Sequence, residues 1–383
     1  MEVKPDGDVV TTDIDTVLLK TASRCNLNCT YCYVYELGDD GWRDQPKRMS
    51  VDIIDAIVDQ LGTLAKRQAK PFNVCLHGGE PLLIGAPRLE RLLRGLRLGM
   101  PTSCSLAIQT NGLLLSDSII DLLATYGVGV SISYDGPADV HDANRLDKRG
   151  AGSRARVLNA MRRLQAHPTA SGLFSGVLAV VDPNSSPIAV YEDLASTGAP
   201  GIDFLYRDGN RTRLPPGKAR AASTEYGQWM LRLLRAYIAD PNPPRIRVLD
   251  DLMRLILGSD GRKEGLGLTD FGIIVIDTDG TITRNDTLKV AYHGADKFDK
   301  PPSILDRALD QFLVSSDMSD YRALQRPTSP ICLSCPELNI CGGGMPAHRW
   351  SEDSGYNNPT VFCADQQLLI AELRSLLSAA KAA

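Results

Sequence analysis

The sequence predicts an α/β fold: a partial (β/α)6 barrel followed by a smaller, cysteine-rich C-terminal domain. Three observations carry that expectation. Short β-branched runs alternate with longer stretches of helical period from residue 15 onward, glycine-rich polar motifs fall directly after those runs, and the cysteines gather in two clusters near opposite ends of the chain. A parallel strand pair needs a crossover connection that a helix usually supplies, so the alternation implies a parallel sheet.

Strand candidates occupy residues 16–19, 73–76, 105–109, 129–133, 176–181 and 202–206. Amphipathic stretches lie between them at 51–69, 87–98, 117–126, 153–165 and 188–196. In the first of these, Ile54, Ile57, Val58, Leu61 and Leu64 recur at helical spacing behind Ser50, whose hydroxyl suits an N-cap. Six repeats fall short of a closed eight-stranded barrel, and an open parallel sheet gathers its reactive loops at the C-terminal strand ends. The first cysteine loop, HGGEP, QTNG and SYDGP follow strands one to four in turn. A basic, proline-rich connector at 207–218 leads to a helix at 224–238 and a second break at 241–244. A hairpin, IIVIDTDGTITR, then turns at Asp279-Gly280, ahead of the second cysteine cluster and a closing helix at 366–380. The expected divisions are an N-terminal extension at 1–14, the barrel at 15–218, a helical connector at 219–270 and a cluster domain at 271–383.

Composition narrows the function. With 43% apolar and 23% charged residues the chain is ordinary for a globular protein, and its net charge of -4 argues against nucleic acid as a partner. No stretch approaches the roughly 20 apolar residues that span a bilayer. The acidic N-terminus lacks the features of a secretory signal, so the expected location is cytoplasmic, with no membrane partner. In that reducing compartment clustered cysteines read as metal sites before disulfides. Cys75 and Cys104 stand alone in apolar runs and read as buried structural thiols.

Cys25, Cys29 and Cys32 form a C-x3-C-x2-C loop, RCNLNCTYCY. Three thiolates can hold three irons of a cubane cluster and leave the fourth open, whereas a structural zinc wants four ligands. Here the chain resembles the radical S-adenosylmethionine (SAM) superfamily, over about residues 15–206 and, through a different motif, in the C-terminal third. The resemblance implies that the open iron of a [4Fe–4S] cluster chelates SAM and that SAM cleavage gives a 5′-deoxyadenosyl radical, which takes a hydrogen atom from the substrate. The cofactor then carries the hard chemistry, and the protein supplies position and shielding. By the same resemblance Gly78, Gly79 and Glu80 of GGEP meet the SAM methionine, Ser133 meets the ribose, Arg145 pairs with the carboxylate, and Leu178 and Tyr31 lie beside adenine. Without the family, the same residues read as turn, solvated charge and core.

Cys332, Cys335 and Cys341 are spaced C-x2-C-x5-C, and Cys363 follows 22 residues later. Four thiolates close a cubane or a zinc knuckle. The spacing resembles the SPASM extension of peptide-modifying radical SAM enzymes. Two positions where the full SPASM pattern has further cysteines carry Asn285 and Met345, poor replacements for thiolate on iron, so one auxiliary cluster is expected and two [4Fe–4S] clusters in all. Asp286, on a hairpin expected to be exposed, matches the acid that sulfatase maturases use as a base. CGGGMPAHRW and SGYNNPTVFC resemble the enzymes that install three-residue cyclophanes in ribosomally made peptides, joining a β-carbon to an aromatic ring two positions earlier. His348 and Arg349 there can serve the cluster, the substrate or local caps.

The implied activity is an oxidoreductase of ribosomal-peptide (RiPP) biosynthesis, acting on a precursor peptide and fed electrons by a reductant such as flavodoxin or ferredoxin. Sulfatase-maturase-like oxidation or thioether formation is the alternative within enzymes. A non-catalytic iron–sulfur or zinc scaffold that binds peptides is the alternative outside them. Too few residues precede the first strand for a fused leader-binding domain, so the precursor is expected to dock on the barrel or C-terminal domain. Strand addition at an exposed sheet edge, or the basic connector, would serve.

Overall fold

The structure is a computed structural model that describes residues 13–382. Of the expected 1–14 extension, residues 1–12 lie outside the described residues. In chain order the strands are β1 (Thr16–Ala22), β2 (Leu27–Cys29), β3 (Asn73–Gly78), β4 (Leu106–Thr110), β5 (Val128–Ser133), β6 (Arg145–Asp147), β7 (Phe174–Val181), β8 (Gly201–Tyr206), β9 (Arg245–Ile246), β10 (Ile273–Ile276) and β11 (Ile282–Thr283). Nine of them form one sheet in the order β11-β10-β1-β3-β4-β5-β7-β8-β9, while β2 and β6 pair separately. All six expected strands are present as β1, β3, β4, β5, β7 and β8, each parallel to its neighbours, as a partial barrel requires.

Alternation along the strands separates core from cavity, because successive side chains point to opposite faces. Val17, Leu19, Val74, Leu76, Ile108, Val130 and Ile132 are buried on the face covered by helices. Leu18, His77, Gln109, Ser133 and Leu178, of the opposite parity, line the barrel interior. The helix Val51–Arg67 begins where expected, with Ser50 Oγ accepting from Ile53 N at 3.3 Å. It packs on the helix Ala86–Gly99 so closely that a Cβ on Gly95 would stand 2.6 Å from Val58 Cγ2.

The hairpin read from sequence as the start of the C-terminal domain is bonded into the barrel sheet. β10 runs parallel to β1, with Thr16 opposite Ile273 and Leu19 opposite Ile276, and β11 folds back antiparallel on β10. Both ends of the sheet are two-residue strands, and both residues of β11 are buried, with Ile282 N bonded to Pro302 O. An exposed edge for strand addition is thus confined, in this sheet, to the two residues of β9, of which Arg245 is exposed.

The basic connector is likewise committed internally. Lys218 is buried against Asp365 at 2.5 Å, Arg207 pairs with Asp182 at 2.7 Å, and Arg211 N bonds Trp350 O. It straps the barrel to the C-terminal segment. Asp365 also accepts from Gly227 N at 2.7 Å, which draws the helix Glu225–Ala239 against the closing helix Cys363–Ala382. No helix among the described residues is long and apolar enough to cross a membrane.

Candidate functional site

The loop after β1 carries Cys25, Cys29 and Cys32, and two sets of contacts fix it. The β2–β6 pairing sets Cys29 opposite Arg145. Arg24 donates to Trp42 O at 2.5 Å and to Ser23 Oγ at 2.8 Å while lying over the Trp42 ring, which Tyr35 meets edge-on. Burial pushes the free thiol of Cys25 up to about 11 and that of Cys32 up to about 12, so binding a metal there means displacing protons.

Gly78 and Gly79 bring the end of β3 against this loop. Gly79 N bonds Ala22 O at 2.9 Å, and a Cβ on Gly79 would overlap Arg24 O and Tyr35 Oη. Backbone cannot retreat as a side chain can. Gly79→Ala is therefore expected to cost about 1–3 kcal/mol and to displace the cysteine loop; a thermal melt and an iron count on the reconstituted variant measure the two effects.

Glu80, expected with Gly78 and Gly79 at the cofactor, is fully buried and turns its side chain away from the cavity that the two glycines line. Its carboxylate accepts from Thr110 Oγ1 at 2.7 Å, Asn111 N at 2.9 Å and Leu82 N at 3.2 Å. Asn111 in turn donates to Asn26 Oδ1 at 2.7 Å and toward Cys25 Sγ. Glu80 thus ties the GGEP turn through Asn111 to the cysteine loop.

The remaining candidates of the barrel meet in one cavity of about 440 Å³. Cys25, Cys29, Cys32, Tyr31, Gly78 and Gly79 line one side, and Ser133, Arg145 and Leu178 continue the wall. Ser133 Oγ accepts from Gln109 Nε2 at 2.9 Å. Arg145 is buried and donates to Tyr31 Oη at 2.8 Å, while Tyr31 donates to Asp135. Arg145 Nε has no partner.

Asp286 faces the same cavity but is buried, against the expectation of an exposed hairpin position. The reason is β10: once the hairpin joins the sheet, the segment that follows β11 carries Asp286 inward to meet Lys20 of β1 at 3.0 Å. Burial alone would raise the Asp286 carboxyl, but Lys20, His77 and Lys289 outweigh it and hold it down to about 2. Glu264, which no motif singled out, also stands on the cavity wall. Its carboxylate accepts from Asn285 Nδ2 at 2.5 Å, and burial pushes it up to about 7 against the opposing pull of Asn285 and Lys263. A Cβ on the following Gly265 would stand 2.6 Å from Met345 Cγ. Asn285 and Met345, at the places where the full pattern has cysteines, are thus both neighbours of the loop that carries Glu264.

The second cysteine set is drawn from two short elements and the start of the closing helix. Cys332 and Cys335 share a turn, with Cys335 N bonded to Cys332 O, Cys341 ends the helix Leu338–Cys341, and Cys363 opens the closing helix. The Cys341 thiol is pushed up to about 12, first by burial and then by Cys363, Cys332 and Cys335. Gly342 follows with φ +64°, and a Cβ there would overlap Gly267 O, so the exit from the set needs glycine. Among the described residues no three Cys, His, Asp or Glu side chains close around a single ion position.

Comparison with known proteins gives the following. Residues 19–180 match the radical SAM superfamily. The cysteine-type anaerobic sulfatase-maturating enzyme of Clostridium perfringens is 23% identical over 362 residues, covering 91% of this chain and 93% of its own. The serine-type enzyme of Klebsiella aerogenes is 24% identical over 333 residues, covering 85% and 77%. Among solved structures, native anSMEcpe with bound AdoMet and Cp18Cys peptide superposes with a TM-score of 0.79 at 21% identity, over 94% of this chain and 98% of that one. Streptococcus suis SuiB bound to precursor peptide SuiA superposes with a TM-score of 0.62 at 15% identity, over 91% and 75%.

The matched domain implies SAM and one [4Fe–4S] cluster. The cavity fits them: three thiols share one wall, the Gly79 cradle is one that a Cβ would fill, and the buried Arg145 Nε is free to donate.

Proposed function

We propose that this chain is a radical SAM enzyme that matures a ribosomally made precursor peptide, removing a β-hydrogen from one residue and joining that carbon to an aromatic ring two positions earlier. One observation carries the reading. Gly344, Met345, His348, Thr360 and Phe362, from the two cyclophane-type stretches, line the same cavity as Cys25, Cys29 and Cys32. A peptide substrate is supported by the peptides bound in anSMEcpe and SuiB.

In this reading residues 15–218 hold SAM, 219–270 contribute Glu264, and 271–383 close the cavity and hold one auxiliary [4Fe–4S] cluster through Cys332, Cys335, Cys341 and Cys363. When bound, SAM and its cluster supply hydrogen-atom abstraction. Arg145 would hold the SAM carboxylate, Ser133 the ribose, and Leu178 and Tyr31 the adenine, all four lining the same cavity. The crosslink removes two hydrogens: one leaves the β-carbon as an atom, the other leaves the ring as a proton. The accompanying electron would need an acceptor, which an iron–sulfur centre held by the cysteines would supply. Asp286 matches the acid that sulfatase maturases use as a base, but its ion pair with Lys20 leaves it weakly basic. Glu264, titrating near neutrality on the cavity wall, takes the ring proton. A flavodoxin- or ferredoxin-type donor primes each turnover.

Whole-length similarity to sulfatase-maturating enzymes, with Asp286 on the wall, favours a second reading: oxidation of a Ser or Cys to an aldehyde. One experiment separates the two. Anaerobically reconstituted enzyme, SAM and reductant are given a pool of synthetic peptides with each aromatic residue followed by two varied positions, and separately a Ser/Cys pool. Loss of two hydrogens, with no backbone fragments between the joined residues and no hydrazine adduct, is the expected result. An aldehyde formed only from the Ser/Cys pool would replace it with the second reading.

A further inference from the structure

Four of the five histidines have partners. His141 accepts from Asp135 N at 3.2 Å and meets Ser153 Oγ at 3.0 Å, His167 pairs with Asp121, His293 with Asp40 and His348 with Asp208. His77, the histidine of HGGEP, has none among the described residues. Its Nδ1 is shut away without a hydrogen bond, while the ring lines the cavity that holds the candidate cofactor contacts.

Three neighbouring strands place it. Lys20 of β1 stands opposite His77 of β3, and the pairing of Leu76 with Ile108 sets His77 level with Gln109 of β4. Parity turns the ring inward, because Leu76 before it is buried under the helices. On one side Lys20 is taken by Asp286 at 3.0 Å, and on the other Gln109 donates to Ser133 at 2.9 Å. His77 thus stands where the candidate SAM contacts Gly78 and Gly79 give way to the wall supplied by Asn285 and Asp286.

A polar group buried without a partner is costly, and such groups are few in folded proteins. Burial, opposed by Asp286 and assisted by Lys20, holds the imidazole below its ordinary value, so near pH 7 the ring is neutral and carries one proton. An enclosed N–H without an acceptor is rarer than an enclosed lone pair without a donor. The lone pair therefore belongs on the enclosed Nδ1 and the proton on Nε2, which gives the cavity an N–H donor lacking an oxygen to meet.

We propose that His77 is a substrate contact: its Nε2–H donates to an oxygen of the bound peptide and fixes which carbon faces the cofactor. The inference rests on the reading that a peptide substrate occupies this cavity. A peptide offers a carbonyl oxygen at every residue, so a single donor can hold it whatever side chains flank the reacting carbon. Position then decides which hydrogen is within reach.

The test compares the full-length, anaerobically reconstituted wild type with His77→Leu, which fills the space without a donor, and His77→Gln, which restores an N–H. Each is loaded with SAM, kept without reductant, and titrated with a fluorescently labelled synthetic peptide, the pool member that the wild type modifies. The expected result is a Kd raised about 3- to 10-fold in His77→Leu and brought back toward the wild type in His77→Gln. Once reductant is added, modified peptide per 5′-deoxyadenosine should fall in His77→Leu, because a misplaced peptide lets SAM cleavage run without product. Equal peptide affinity in the wild type and His77→Leu overturns the proposal. So does weaker SAM binding with peptide affinity unaltered, or loss of iron in both variants, either of which would put His77 in the cofactor site. A wild-type product that is an aldehyde replaces the crosslinking reading alone, since the affinities and the yield ratio are then read on that product.

Discussion

Changing Cys25, Cys29 and Cys32 together to Ala is expected to take reconstituted iron from about eight to about four per chain and to abolish 5′-deoxyadenosine formation. The three thiols line the cavity that also presents Gly79, Ser133 and Arg145, so their loss removes the thiol donors beside the candidate SAM contacts. The fold should persist, because the loop is held by Arg24 on Trp42 and by the β2–β6 pairing, neither of which uses a sulfur. Retention of four irons then reports the C-terminal set. A fall from four to none would mean that this set binds no iron. An unchanged count would mean that the assigned ligands are wrong.

The connection between Glu80 and that loop shows what a motif does and does not convey. GGEP placed the right turn at the right strand end: a Cβ on Gly78 would collide with Ala22 O at the end of β1, and one on Gly79 with the cysteine loop at Arg24 O and Tyr35 Oη. Which way the acid turns is set by Thr110 and Asn111, about 30 residues further along, and the tripeptide carries no sign of it.

Local pattern explains the rest of what was legible. The six barrel strands are short apolar runs because a parallel sheet covered by helices buries them, and their loops were readable because such a sheet collects reactive residues at one end. β10 was readable as a strand but not as the partner of β1, since Thr16 and Ile273 are brought together only by the fold. That one pairing also reverses the expected exposure of Asp286, by setting it against Lys20. Glu264 was invisible for the same reason. It sits in a glycine-rich loop without periodicity, and its neutral-range titration comes from burial among segments far apart in sequence.

Glu264→Gln is expected to leave SAM cleavage intact while lowering the yield of crosslinked peptide per 5′-deoxyadenosine by about 10²- to 10⁴-fold, the usual weight of a general base. Glutamine keeps an oxygen for Asn285 Nδ2 but cannot take a proton. The wild-type enzyme supplies its own check through pH. The base works ionised, and Glu264 is raised from 4.5 to about 7, so crosslinking should climb from roughly pH 6 to roughly pH 8 and lose that climb in Glu264→Gln. Stability runs the other way. Because the folded value exceeds the unfolded one, the contribution of Glu264 to stability is fully present below its unfolded value and is lost as pH rises through about 7. Asp286 has the opposite sign: depressed to about 2, it stabilises the fold above its ordinary value of 3.8, and that contribution is lost as pH falls toward 2. Activity and stability therefore diverge between pH 6 and 8 if Glu264 is the base, and a Glu264→Gln enzyme that still couples each cleavage to a crosslink would return the role to Asp286 or to solvent.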